Sequence, residues 1–160
     1  MDVIWSPWRY DYITKSQGPI VTDCVFCGIL QNSASDEDNF ILHRAEFNFA
    51  ILNVYPYTSG HMMVLPYEHI ASPAETSKAS TDEMMDLVKL FTEKIGSIYK
   101  ADGINVGMNL GRAAGAGVAS HYHMHLLPRW VGDANFMTAI GETRTLPENL
   151  RTTYDKLRIS

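Results

Sequence analysis

The segment His121-Tyr122-His123-Met124-His125-Leu126-Leu127 restricts the fold more than any other stretch of this chain. Half of the six histidines fall within it, each separated from the next by one apolar residue. A period of two is the period of a β-strand, where residues i, i+2 and i+4 share a face. On a helix the same spacing would throw the middle imidazole to the opposite side. A strand is therefore expected over residues 121–128. His121, His123 and His125 line one face, and Tyr122, Met124 and Leu126 point under a helix. Three imidazoles on one face are costly to bury without partners, so this strand is expected to border a site.

That strand needs neighbours, and the sequence offers them. Residues 47–54 (FNFAILNV) and 61–68 (HMMVLPYE) are short apolar runs joined by a turn containing Pro56 and Gly60, which reads as an antiparallel pair. Residues 103–111 (GINVGMNLG) read as a further strand, and a last strand-like stretch lies in 135–146. The clearest helix runs from about Ser80 to Tyr99. Ser80 and Glu83 match a capping box. Met84, Leu87, Val88, Phe91, Ile95 and Ile98 recur at steps of three and four, giving one apolar stripe. Lys100 suits the negative pole at its end. Residues 33–40 are acidic and polar and read as a loop, and a short helix is expected after Pro147. The predicted class is α+β, an antiparallel sheet of about five strands with one long helix packed on it and a shorter helix.

At 160 residues the chain is expected to form one domain. An aromatic arm over residues 1–23, with Trp5, Trp8, Tyr10 and Tyr12, precedes a single catalytic domain over 24–160. The net charge is −5 and Lys and Arg do not cluster, so no nucleic-acid partner is expected. No apolar run reaches the length of a membrane span, and the N-terminus lacks a secretory pattern. A cytoplasmic protein with no membrane partner is the expectation. In that setting the pair Cys24-x-x-Cys27 points to metal or redox chemistry before a disulfide.

Two chemistries suit the alternating histidines. One is a zinc site built on His-x-His. The other is nucleophilic catalysis by a neutral imidazole whose neighbours orient it or donate protons. The preceding loop, NLGRAAGAGVASH, holds three glycines, and positions 113–120 are all small apart from Val118. Small residues let backbone N–H groups approach an anion. A phosphate cradle beside a histidine nucleophile accounts for the whole stretch.

The pattern His, apolar, His, apolar, His, apolar, apolar at 121–127 resembles that of the histidine triad family of nucleotide hydrolases and transferases. The stretch 49–69, with Asn53, Gly60-His61 and Pro66, is similar to the family's N-terminal hairpin. Residues 128–137 and 5–13 are similar to a bacterial branch that cleaves dinucleoside polyphosphates. The resemblance spans roughly Cys24 to Met137.

Carried over position by position, the resemblance implies the following roles. His123 is the nucleophile and forms a covalent nucleotidyl-histidine intermediate. His125 lies near the bridging oxygen of the leaving group, and His61 supports it from the facing strand. Asn53 contacts ribose hydroxyls and Asn109 the leaving phosphate. Backbone N–H groups near Gly117 and Val118, with Ser120, cradle the phosphate. The loop lacks the Gln-Ser or Gln-Thr pair of many triad hydrolases, so side-chain phosphate contacts do not carry over. Cys24, Cys27, His69 and His121 are implied as ligands of a structural zinc, which would make His121 a ligand and not a catalytic group. The implied activity is cleavage of a dinucleoside polyphosphate such as diadenosine tetraphosphate, by phosphorolysis or hydrolysis, in a homodimer. Two alternatives stand beside it: a purine nucleoside phosphoramidase, and a zinc-stapled nucleotide-binding protein with little turnover.

Overall fold

A computed structural model describes residues 24–134, 138 and 146–159. The aromatic arm 1–23 lies outside the described residues, as does the stretch 135–146 apart from Thr138 and Leu146. Five strands form one antiparallel sheet: β1 (Ile41–Arg44), β2 (Asn48–Leu52), β3 (Met62–Pro66), β4 (Gly103–Gly107) and β5 (Met124–Arg129), in the order β1-β2-β3-β5-β4. Helix α1 (Val25–Gln31) precedes the sheet, α2 (Lys78–Tyr99) connects β3 to β4, and α3 (Leu150–Leu157) follows β5. Single 3-10 turns occur at Pro73–Glu75 and Arg112–Ala114.

The α+β class with a five-stranded antiparallel sheet agrees with the sequence reading, but two elements go beyond it. β1 forms directly after the stretch that reads as a loop, and α1 winds the C-x-x-C pair into its first turn. Both are short, at four and seven residues, and carry little periodic pattern of their own.

Strand alternation sorts side chains to two faces. Leu42, Ala50, Leu52, Met62, Val64, Tyr122 and Leu126 join the α2 stripe and α3 in the larger core cluster. Ile41, Phe49, Ile51, Met63 and Leu65 pack on the opposite face, with Cys24 and Phe26 from α1. The α2 stripe faces the core as its period predicts: Met84, Leu87, Val88, Phe91 and Ile95 are all buried. Burying a side chain such as Phe91 contributes roughly 1.5–3 kcal/mol.

The expected capping box is replaced by a longer-range contact. Ser77 caps α2, its side chain accepting from the Ser80 N–H. Glu83 instead accepts the backbone N–H groups of Glu46, Phe47 and Asn48, and the Asn48 side-chain amide, at 2.8–2.9 Å. Four charge-assisted hydrogen bonds to the β1–β2 turn outweigh one to its own helix end. Lys100 does not simply end the helix as a cation; it forms the cap in the left-handed conformation, at φ 47°.

The histidine segment also starts its strand later than the period suggests. The β3–β5 ladder begins at Val64–Met124, so His121 and His123 lie just before β5 and only His125 lies within it. The Tyr122 N–H still bonds the Ile70 carbonyl at 2.9 Å, which holds the approach extended. Tyr122 and Leu126 face the α2 core, while His121 and His123 face α1.

Candidate active site and metal centre

The C-x-x-C pair folds around the start of α1. Cys24 is its N-cap residue, and Cys27 lies in the first turn. This turn meets the segment after β3 and the start of the histidine segment. Cys27 Sγ is 3.2 Å from His69 Nδ1 and 3.7 Å from His121 Nδ1, and Cys24 Sγ is 3.5 Å from His121 Nδ1. One donor atom from each of the four residues lies within 4.8 Å of all the others.

These donors suit zinc. With zinc–sulfur and zinc–nitrogen bonds of about 2.3 and 2.0 Å, a tetrahedral sulfur-to-nitrogen edge is about 3.5 Å. The three contacts bracket that length. His121 donates from Nε2 to the Pro66 carbonyl at 2.9 Å, which leaves Nδ1 unprotonated and aimed at the thiols. Burial, then neighbouring Cys24, pushes the Cys27 thiol up; a divalent cation among the donors would reverse that cost.

The next histidine is oriented the other way. His123 Nδ1 donates to the His121 carbonyl at 2.9 Å. A carbonyl only accepts, so the proton sits on Nδ1 and the lone pair on Nε2. Burial lowers the His123 pKa below its ordinary value, opposed by this carbonyl contact. Phe26, from within the C-x-x-C turn, sets its ring 5.4 Å from both the His121 and His123 rings.

His125 and His61 form a directed chain. His61 Nδ1 receives the Tyr57 backbone N–H at 3.1 Å and the Asn53 side-chain amide at 3.3 Å. That nitrogen is therefore the acceptor, and the ring proton lies on Nε2. His61 Nε2 donates to His125 Nδ1 at 2.9 Å, which leaves the His125 proton on Nε2. Burial pushes His61 down to about 3, helped by His125 and His123. Burial also pushes His125 down to about 4, with a further contribution from His123. Both rings are neutral at pH 7, as the chain of single donors requires. The His123 and His125 rings meet edge-on at 4.8 Å.

Gly60 makes this turn possible. Its φ is +80°, and a Cβ there would lie 3.0 Å from Tyr99 Cε2 and 3.1 Å from Pro128 Cγ. The left-handed backbone and the close approach both favour glycine immediately before His61.

The remaining expected site residues are placed as follows. Asn53 is only 9% exposed, and its side chain is engaged within the protein. Its Oδ1 accepts the Tyr55 N–H at 2.9 Å while its amide reaches His61. Asn109 is half-buried in the loop before the histidine segment. In the same loop Gly117 and Ser120 are exposed, and Val118 packs against the cluster containing Cys24 and Phe26. Two contacts escape sequence reasoning. Phe26 lies between two expected ligands, and Tyr57 lies in the expected turn, but neither position carries a pattern of its own.

Comparison with known proteins places this geometry. The model of the HIT domain matches residues 34–131. The chain is 35% identical to the AP-4-A phosphorylase of Mycobacterium tuberculosis, over 94% of this chain and 79% of that protein. It is 34% identical to the adenosine 5'-monophosphoramidase hnt1 of Schizosaccharomyces pombe, over 66% of this chain and 74% of the relative. Among solved structures, a zinc-bound histidine triad family protein from Mycobacterium smegmatis superposes with a TM-score of 0.69. It is 28% identical, with 85% of this chain and 91% of that chain covered.

Proposed function

The chain belongs to the HIT domain family, and from that premise we propose that it is a nucleotidyl hydrolase or transferase acting through His123. The substrate class is a dinucleoside polyphosphate, with diadenosine tetraphosphate the first candidate. The name of the mycobacterial relative supports that substrate. The observation that carries the mechanism is the fixed tautomer at His123, whose Nδ1–H bonds the His121 carbonyl.

His123 Nε2 attacks the α-phosphorus, and the bond from phosphorus to the bridging oxygen breaks. The ring becomes cationic as the P–N bond forms, and the His121 carbonyl stabilises that charge at Nδ1. His125 Nε2–H faces the departing oxygen as a hydrogen-bond donor, because His61 occupies its other nitrogen. The first product is a nucleoside polyphosphate. Inorganic phosphate or water then attacks the nucleotidyl-histidine and restores neutral His123. Backbone N–H groups near Gly117 and Val118, with Ser120, cradle the α-phosphate. Asn109 faces the leaving phosphate. Asn53 acts on ribose or, through its amide, on His61.

Cys24, Cys27, His69 and His121 would hold a structural zinc. The ion would clamp α1 to the histidine segment and take no part in bond making. Residues 24–160 form the catalytic domain of a cytoplasmic homodimer. β4 supports pairing between copies, since it lies at the sheet edge with Val106 exposed. Among the described residues, no helix is long and apolar enough to cross a membrane.

The deciding experiment is incubation with diadenosine tetraphosphate, with and without inorganic phosphate. ADP plus ATP formed only with phosphate establishes phosphorolysis. AMP plus ATP formed without phosphate establishes asymmetric hydrolysis. A second reading, a purine nucleoside phosphoramidase, is supported by the fission-yeast relative. Preferential release of AMP from adenosine 5'-phosphoramidate would favour it. No turnover of any of these would leave a zinc-stapled nucleotide-binding protein.

A further inference from the structure

We infer that Tyr57 contacts the polyphosphate leaving group and sets the preference for it, an inference that rests on His123 being the nucleophile. Tyr57 is the most exposed large aromatic among the described residues, at 53%, yet it borders buried imidazoles. Its ring centre is 4.7 Å from that of His61 and 6.2 Å from that of His125. Ring contacts thus run from His123 to His125 at 4.8 Å and on to Tyr57.

The order of this row assigns the role. With the α-phosphorus at His123 and the bridging oxygen at His125, the row continues on the side of the departing group. The atoms that follow the bridging oxygen are those of the next phosphate, before any sugar or base. Phosphate oxygens therefore pass Tyr57 first. A phenol hydroxyl donates to such an oxygen, and a charged acceptor makes that bond a strong one. The contact exists only for substrates whose leaving group carries phosphate.

Tyr57→Phe tests this while keeping the ring over His61 and the backbone N–H that fixes it. The wild type and the variant are compared on diadenosine tetraphosphate and on the p-nitrophenyl ester of AMP, whose leaving group has no phosphate. The expected result is that the ratio of the two kcat/KM values, polyphosphate over ester, falls roughly tenfold to a hundredfold. An unchanged ratio overturns the inference, whether both activities persist or both fall together. A proportional fall would mean that Tyr57 only positions the histidines. Failure of the wild type on both substrates would instead remove the nucleotidyl-transfer reading, and this inference with it.

Discussion

The two ends of the segment 121–125 hold the same side chain in opposite ways. At the start, His121 gives its Nε2 proton to the Pro66 carbonyl and turns a bare Nδ1 toward two thiols and His69. Two residues later His123 gives its Nδ1 proton to a carbonyl and is left with a bare Nε2. At the far end His125 accepts at Nδ1 from His61 and keeps its proton on Nε2. One ring can ligate a cation, one can attack, and one can donate. The difference comes from the partner of the second nitrogen, since all three rings are buried and burial lowers the pKa of each. Strand alternation brings imidazoles to one face; backbone carbonyls and one more histidine then divide their chemistry.

The most severe way to break this division is His123→Asn. Without the proposed nucleophile, kcat is expected to fall by roughly 10⁴-fold or more, while calorimetry still detects nucleotide binding. Turnover that survives would mean another group attacks. A smaller loss is expected for His61→Gln. It interrupts the donor chain that fixes the His125 tautomer, and kcat should fall on the order of a hundredfold with little change in KM. A rise in KM alone would place His61 in substrate binding.

At the metal end, Cys27→Ser is expected to reduce bound zinc, measured by elemental analysis of the purified protein. It should lower the melting temperature clearly and activity by about tenfold. The contrast between the two ends requires this order: stability suffers most at the thiols and chemistry most at His123. Zinc-free wild-type protein with full stability would refute the clamp.

The regular parts of the fold are legible in the sequence because their signals are local. The apolar stripe of α2 and the runs in β2 and β3 show their period in one window of sequence. β1 and α1 are not, because four and seven residues acquire their conformation from what they pair with and wrap around. Glu83 shows the same limit: its spacing from Ser80 matches a cap, but the β1–β2 turn competes for its carboxylate from 35 to 37 residues away. At the site, the period of two brings the histidines to one face. It cannot assign tautomers, which depend on the Pro66 carbonyl, the His121 carbonyl and His61. Asn53 is expected on ribose, yet its amide lies on His61. Such a contact depends on the turn at Gly60, which folds residues 53–61 back on themselves.

The mildest test separates the two ends by pH. His61 is pushed down to about 3 and His125 to about 4, chiefly by burial, whereas a histidine in the unfolded chain titrates near 6.5. Below that value the unfolded chain binds protons that these folded-state rings refuse. Their contribution to stability is therefore complete above about pH 6.5 and declines as pH falls toward 4. Each ring steepens the decline by at most about 1.4 kcal/mol per pH unit. Acid also acts at the metal end, where protons compete with a cation for the four donors, so the slope of the wild type alone mixes both clusters. His61→Gln removes one ring from the catalytic end and leaves the four metal donors in place. Denaturant melts at pH 6 and pH 5 should then show a smaller loss of stability in the variant than in the wild type. Equal losses would mean that His61 adds nothing to the acid sensitivity and is not held neutral by its surroundings.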